Sequence, residues 1–98
     1  MTITKNQNGT DLTLVLEGRL DTITAPELEA ELKKSLDGAE TLCLDFTKLD
    51  YISSAGLRVL LSAHKVMSAQ GGMKIVNVNE IVKEVFEVTG FADILTIE

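Results

Sequence analysis

The sequence predicts one small α/β domain: a mixed sheet of about five strands in the order β β α β α β α β, with helices laid mainly on one face. Three observations carry this expectation. Short runs of alternating apolar residues recur between stretches that have the 3.6-residue period of a helix. Glycine, proline or asparagine punctuates nearly every junction. The length, 98 residues, suits a single domain near the lower limit for burying its own core, so residues 1–98 are read as one unit.

Taken in order, Ile3 and the alternation Leu12, Leu14, Leu16 mark two strands around Asn6-Gln7-Asn8-Gly9-Thr10, most simply a hairpin. After Gly18, Arg19 to Ile23 runs along the end of the sheet. Thr24-Ala25-Pro26-Glu27 has the form of a capping box, with proline in the first turn where its missing N–H does no harm. Leu28, Leu32 and Leu36 then form one helical stripe, Glu29 and Lys33 pair on the wet side, and Asp37-Gly38 ends the helix. Thr41 to Phe46 reads as a half-buried strand, and a loop holding Asp50 leads into a second helix from about Ala55 to Ala69, closed by Gly71-Gly72. On this helix Leu57, Leu60, Leu61 and His64 share the packing face, while Arg58, Ser62, Lys65 and Gln70 track the wetter side. Met73 to Val78 alternates as a further strand. Asn79 caps a short helix carrying Ile81, Val82, Val85 and Phe86, Gly90 ends it, and Ile94 to Ile97 forms a last short strand. The surface pattern shows no apolar stripe that demands a dimer.

Composition narrows the function. Apolar residues make up 45% and charged residues 24%, the balance of a folded globular chain. A net charge of −6 argues against nucleic acid or an anionic membrane as a direct partner and steers toward a basic one. With one cysteine, Cys43, there is no intrachain disulfide and no multi-cysteine metal site; a buried reduced thiol is expected. No segment has the apolar core of a signal peptide or the ~20 apolar residues of a membrane helix, so the cytoplasm is the default location. One Tyr, three Phe and no Trp give no stacking platform for single-stranded nucleic acid.

A catalytic constellation is missing. Ser54 and the one histidine, His64, lie ten residues apart on one helix, about 15 Å at 1.5 Å per residue, too far for a Ser-His pair. Neither a G-x-S-x-G elbow nor a glycine-rich phosphate loop occurs, and His64 has no companion ligands. The expectation is therefore a non-enzyme with no catalytic residue, cofactor or metal. What stands out is Leu49 to Arg58, where a strand-like segment meets the most apolar helix through two adjacent hydroxyls. Either Ser53 or Ser54 suits the N-cap, its hydroxyl accepting a hydrogen bond from a first-turn N–H. Gly56, inside that first turn, costs about 1 kcal/mol relative to alanine, which points to a close approach of backbone at this place. The exposed N–H groups and positive dipole end of such a helix tolerate phosphate, so weak small-ligand or nucleotide sensing is one reading.

The run Y-I-S-S-A-G-L-R (Tyr51 to Arg58), with G-R-L-D-T-I-T-A-P-E-L (Gly18 to Leu28) and V-T-G-F-A-D-I-L (Val88 to Leu95), resembles bacterial anti-sigma factor antagonists of the STAS domain family. The likeness covers nearly the whole chain, in order and with matching spacing. It implies a STAS-like fold and a partner-switching regulator. In that scheme the unphosphorylated form binds an anti-sigma factor with serine kinase activity and releases the sigma factor, phosphorylation blocks binding, and a phosphatase resets the switch. The resemblance makes Ser54, two residues before Gly56, the acceptor, with Ser53 as runner-up; Ser53 stands where many members have aspartate. The implied partner surface comprises Asp21, Thr22, Ser53, Ser54, Gly56, Leu57 and Arg58. Thr22 and Thr24 are expected to share that surface, Thr24 being already explained as a cap, and Arg58 stands where members often have a small residue, a departure that bears on partner choice. The alternative is a standalone STAS interaction subunit of a transporter or signalling complex, without phosphoregulation, in which the serine only caps the helix.

Overall fold

In the computed structural model, which describes residues 1–98, the first alternating runs fold into an antiparallel hairpin of β1 (Thr2–Asn8) and β2 (Asp11–Leu20). Helix α1 (Ala25–Ser35) leads to β3 (Thr41–Ile52), α2 (Ser54–Ser68) to β4 (Met73–Val76), and α3 (Glu80–Thr89) to a 3-10 turn at Phe91–Asp93. The sheet order is β1-β2-β3-β4, with β2, β3 and β4 mutually parallel. Leu12, Leu14, Leu16 and Leu20 of β2 and Leu42, Leu44 and Phe46 of β3 point to one face and are buried. Against them pack Leu28 and Leu32 of α1, Leu57, Leu60, Ala63 and Met67 of α2, and Val82 and Phe86 of α3. Phe86 meets Phe46 with ring centroids 6.4 Å apart. The opposite face, with Thr13, Val15, Cys43 and Asp45, is only half-buried, so the helices lie on one side as expected. Cys43 is a free thiol on that half-buried face, and burial raises its pKa.

The sheet departs from the sequence reading in three places. β3 does not stop at Phe46 but runs to Ile52, so Asp50 lies in a strand and not in a loop. The pairing with β2 continues through Glu17↔Lys48, Gly18↔Leu49 and Leu20↔Ile52, with register shifts between Val15 and Glu17 and between Gly18 and Arg19. Those bulges respace the inward residues to Phe46, Leu49 and Ile52, at intervals of three, which hides the strand from a search for period two. The extra residue at the second shift is Asp50 of β3, and Gly18 lies opposite it at φ 106°, where a side chain would be strained. β4 ends at Val76, two residues early, because Asn77 turns into the left-handed region (φ 59°) and donates from Nδ2 to Asp45 Oδ1 at 3.1 Å. The last predicted strand shrinks to a single parallel bridge, Ile75↔Ile97, leaving four strands.

The helices follow their patterns more closely. Glu29 and Lys33 pair at 3.7 Å. Asn79 caps α3, its Oδ1 accepting from Val82 N–H at 2.8 Å, and Gly90 closes that helix. On α2, Val59 and Ala63 join the buried face, while Leu61 and His64 sit at its margin. α3 also carries an outward apolar stripe that the sequence reading did not separate from its core face: Ile81 and Val88 are 60% and 80% exposed, with Val85 half-buried between them. No helix is long and apolar enough to cross a membrane.

Candidate functional site

The two central parallel strands end side by side, and each hands over to a helix at the same edge of the sheet. In open α/β sheets this carboxyl edge is where sites collect. Ser53 N–H donates to Leu20 C=O at 2.9 Å, extending the β2–β3 ladder by one rung before the chain turns into α2. Ser53 is the N-cap residue by backbone (φ −104°, ψ 176°), and its C=O accepts from Leu57 N–H at 3.0 Å. Its hydroxyl, however, makes no cap bond. The Oγ is buried and has no hydrogen-bond partner, contrary to the expectation that a serine hydroxyl closes this helix end. The first-turn N–H groups of Ser54, Ala55 and Gly56 are accordingly left without a protein acceptor. Ser54, the first residue of the helix, is exposed. Two adjacent hydroxyls thus have opposite fates: one faces in, one faces out.

Gly56 explains how the tip is seated. A Cβ at this position would lie 2.7 Å from Leu20 Cγ and 2.9 Å from Ile52 Cγ1, so the first turn of α2 rests directly on the ends of β2 and β3. The close approach anticipated for this glycine is made by the protein's own core. Gly56 and Leu57 are buried and hold the tip from beneath; the outward positions are Thr22, Ser54 and Arg58.

Beside the tip runs the turn from Asp21 to Thr24. Asp21 Oδ1 accepts from the N–H groups of Ile23 and Thr24, both at 3.0 Å, and Asp21 C=O accepts from Ala25 N–H at 2.8 Å. The Thr24 hydroxyl does not cap α1 as the capping-box reading expected. It faces backward, accepting from Asp21 N–H at 2.9 Å and donating to Arg19 C=O at 2.7 Å. Thr24 itself has helical backbone angles (φ −93°, ψ −19°), which carries its side chain away from the N–H groups a cap must reach. Asp21, three residues earlier, supplies the acceptor instead. Hydrogen bonds from Thr24 N–H and Ile23 N–H to Oδ1, helped by the Thr24 hydroxyl and the Arg19 guanidinium, hold the Asp21 carboxyl below the usual aspartate range. Arg19 stacks over the Tyr51 ring at 4.5 Å and stands 3.9 Å from Asp21. This clamped turn presents Ile23 to solvent at 84% exposure, a residue that sequence reasoning passed over. An isolated isoleucine in an unpaired stretch carries no periodic signal, and only its fixed exposure makes it notable.

Clefts of about 560 Å³ and 390 Å³ lie elsewhere, the first at the amino ends of β2 and β3 around Asp11, Thr41 and Lys74, the second between α1 and α2. Neither contains Ser54 or Asp21.

Comparison with known proteins identifies the family and the fold. The STAS domain family profile matches residues 2–98. BtrV of Bordetella bronchiseptica, described as a candidate anti-sigma factor antagonist, is 43% identical over 84 residues, covering 84% of this chain and 72% of BtrV. The anti-sigma-B factor antagonist of Bacillus subtilis is 30% identical over 93% of this chain and 84% of its own length. Among solved structures, the anti-sigma factor antagonist SpoIIAA superposes in its unphosphorylated form with a TM-score of 0.84 at 18% identity, covering 99% of this chain and 88% of that one. Its phosphorylated Bacillus form gives 0.75 at 19% identity, over 99% and 91%. With a family match along almost its full length, and a fold shared with these structures, the chain belongs to the STAS domain family.

Proposed function

We propose that this protein is a cytoplasmic anti-sigma factor antagonist that works by partner switching, with Ser54 as its phosphorylation site. Unphosphorylated, it docks on an anti-sigma factor with serine kinase activity and frees the sigma factor; phosphorylated on Ser54, it is released, and a phosphatase restores it. The observation that carries the choice of residue is the split between the two hydroxyls: Ser54 is exposed on the first turn of α2, whereas the Ser53 Oγ is buried and out of a kinase's reach. The names of the Bordetella and Bacillus relatives, and the existence of SpoIIAA in a phosphorylated form, support the same reading.

The protein is a substrate in this scheme, not a catalyst. The partner supplies ATP, Mg²⁺ and the base; Ser54 Oγ attacks the γ-phosphorus as its proton passes to that base, and ADP leaves. The product carries about −1.5 to −2 charges and three strong acceptor oxygens where a neutral hydroxyl stood. A partner surface shaped for the hydroxyl must then desolvate a dianion, and a loss of roughly 3 to 4 kcal/mol weakens binding by two to three powers of ten. The fold can stay as it is, because a charge at the amino end of a helix interacts favourably with its dipole by about 1 kcal/mol at most. Thr22, Ile23 and Arg58 are the outward groups around Ser54 available to contact the partner, with Asp21 fixing the turn that carries the first two.

The test begins with Ser54→Ala as bait in native lysate, followed by purification of the captured kinase. Titration calorimetry should then show tight binding of Ser54→Ala and at least tenfold weaker binding of Ser54→Asp. Equal affinities would remove the mechanism. Phosphate found on Ser53 in the cellular protein would overturn the choice of residue.

A further inference from the structure

Arg58 has no explanation in the packing of the domain. It is exposed, it takes part in none of the ion pairs of the structure, and the first turn of its helix contains no acidic side chain. It lies four residues after Ser54 on the same continuous helix, so the two share a face one turn apart, with β-carbons about 6 Å from each other. Side chains on a helix lean toward its amino end, and the long Arg58 side chain therefore leans back over the turn that starts at Ser54. An anion N-terminal to a cation at this spacing is the favoured order of an i,i+4 pair.

We propose that Arg58 is a positioning residue for the phosphorylated state: its guanidinium closes on a phosphate at Ser54 and holds it along the α2 face. This rests on Ser54 as the modified residue and adds a second half to the switch. Before modification Arg58 offers a free cation to the docking surface; after it, that cation is taken up by the protein's own phosphate. Phosphorylation thus changes the surface twice, adding an anion and withdrawing a cation. Guanidinium suits the task because its fork of N–H donors matches two phosphate oxygens at once, where lysine offers a point charge. The other groups facing the tip leave the pairing open. Asp21 is occupied by the N–H groups of its own turn and faces Arg19, which stacks on Tyr51. Lys65, the next cation along α2, is two turns beyond Arg58.

The experiment uses the full chain with phosphoserine introduced at position 54 during translation, and needs no partner. The probe is the second ionisation of that phosphate followed by ³¹P NMR across pH 4 to 8, in the parent chain and in Arg58→Gln and Arg58→Lys. The phosphate should ionise roughly 0.2 to 0.4 of a pH unit lower in the parent chain than in Arg58→Gln, from an ordinary value near 6, with Arg58→Lys in between. Raising the salt to 1 M should shrink the difference. Identical titration curves for the parent and Arg58→Gln would overturn the clamp, and so would a difference that Arg58→Lys fails to restore in part. Absence of phosphate on Ser54 in cells would instead strike the proposed function, which the bait experiment reads separately.

Discussion

The amino ends of α2 and α3 are built on opposite plans. α3 begins with a working cap: Asn79 accepts from Val82 N–H at 2.8 Å and ties the helix to β3 by donating to Leu49 C=O at 2.9 Å. α2, the longest helix, begins at a serine of the preferred cap type whose hydroxyl caps nothing. Packing makes up the difference. α2 buries Gly56, Leu57, Val59, Leu60, Ala63 and Met67, whereas α3 buries Val82 and Phe86. A helix seated that deeply does not need its first turn satisfied by a side chain. The difference teaches that buried packing can replace a side-chain cap in holding a helix end.

Five changes test this contrast. The largest effect belongs to Leu60→Ala, which empties a fully buried site on α2 and should cost about 3 kcal/mol in urea unfolding. A loss under 1 kcal/mol would show that packing does not hold this helix. Gly56→Ala comes next: the added methyl meets Leu20 and Ile52 below 3 Å, and the overpacking should outweigh the ~1 kcal/mol gain in helix propensity, leaving a net cost of about 2 kcal/mol. Were this variant more stable than the parent, the seating of the tip on the strand ends would be wrong. Asn79→Ala should lower stability by about 1 to 2 kcal/mol, since it removes both the cap and the tie to β3.

Ser53→Ala sharpens the comparison most directly. At an ordinary cap this change costs about 1 kcal/mol; here it should be neutral or raise stability by up to ~1 kcal/mol, because it deletes a buried hydroxyl that has no partner. A loss of cap size would restore Ser53 as a conventional cap. The smallest effect is on pH dependence. Asp21 and Asp45 both have folded-state pKa values below the ordinary one, Asp21 chiefly through Thr24 N–H and Asp45 chiefly through the Thr47 hydroxyl. Their contribution is therefore complete above about pH 5 and is lost as the pH falls below about 4 through the folded-state values. Asp21→Asn should flatten the acid limb of a thermal-stability profile and leave its slope above pH 6 unchanged; an unaltered acid limb would remove Asp21 as the holder of its turn.

What the sequence determined by itself was the order of the elements as far as α3 and the side of β2, β3, α1 and α2 that faces the core. Alternation at Leu12, Leu14, Leu16 and at Leu42, Leu44, Phe46, and the stripe Leu28, Leu32, Leu36, encode burial through local geometry, and burial is what periodicity reports. Asn79 and Gly90 were legible because a cap acts within its own helix. The tertiary structure alone decided the rest. That β3 runs on to Ile52 depends on bulges against a strand some thirty residues away; that Asp21 and not Thr24 holds the turn depends on one residue's backbone angles. Which of two neighbouring serines faces out, and what leans on Gly56, depends on how Leu20 and Ile52 meet beneath the tip. A pattern of residue types records which face is wet, but the partner of a given hydroxyl is set by distances of a few ångströms between segments far apart in the chain, and those exist only once it has folded.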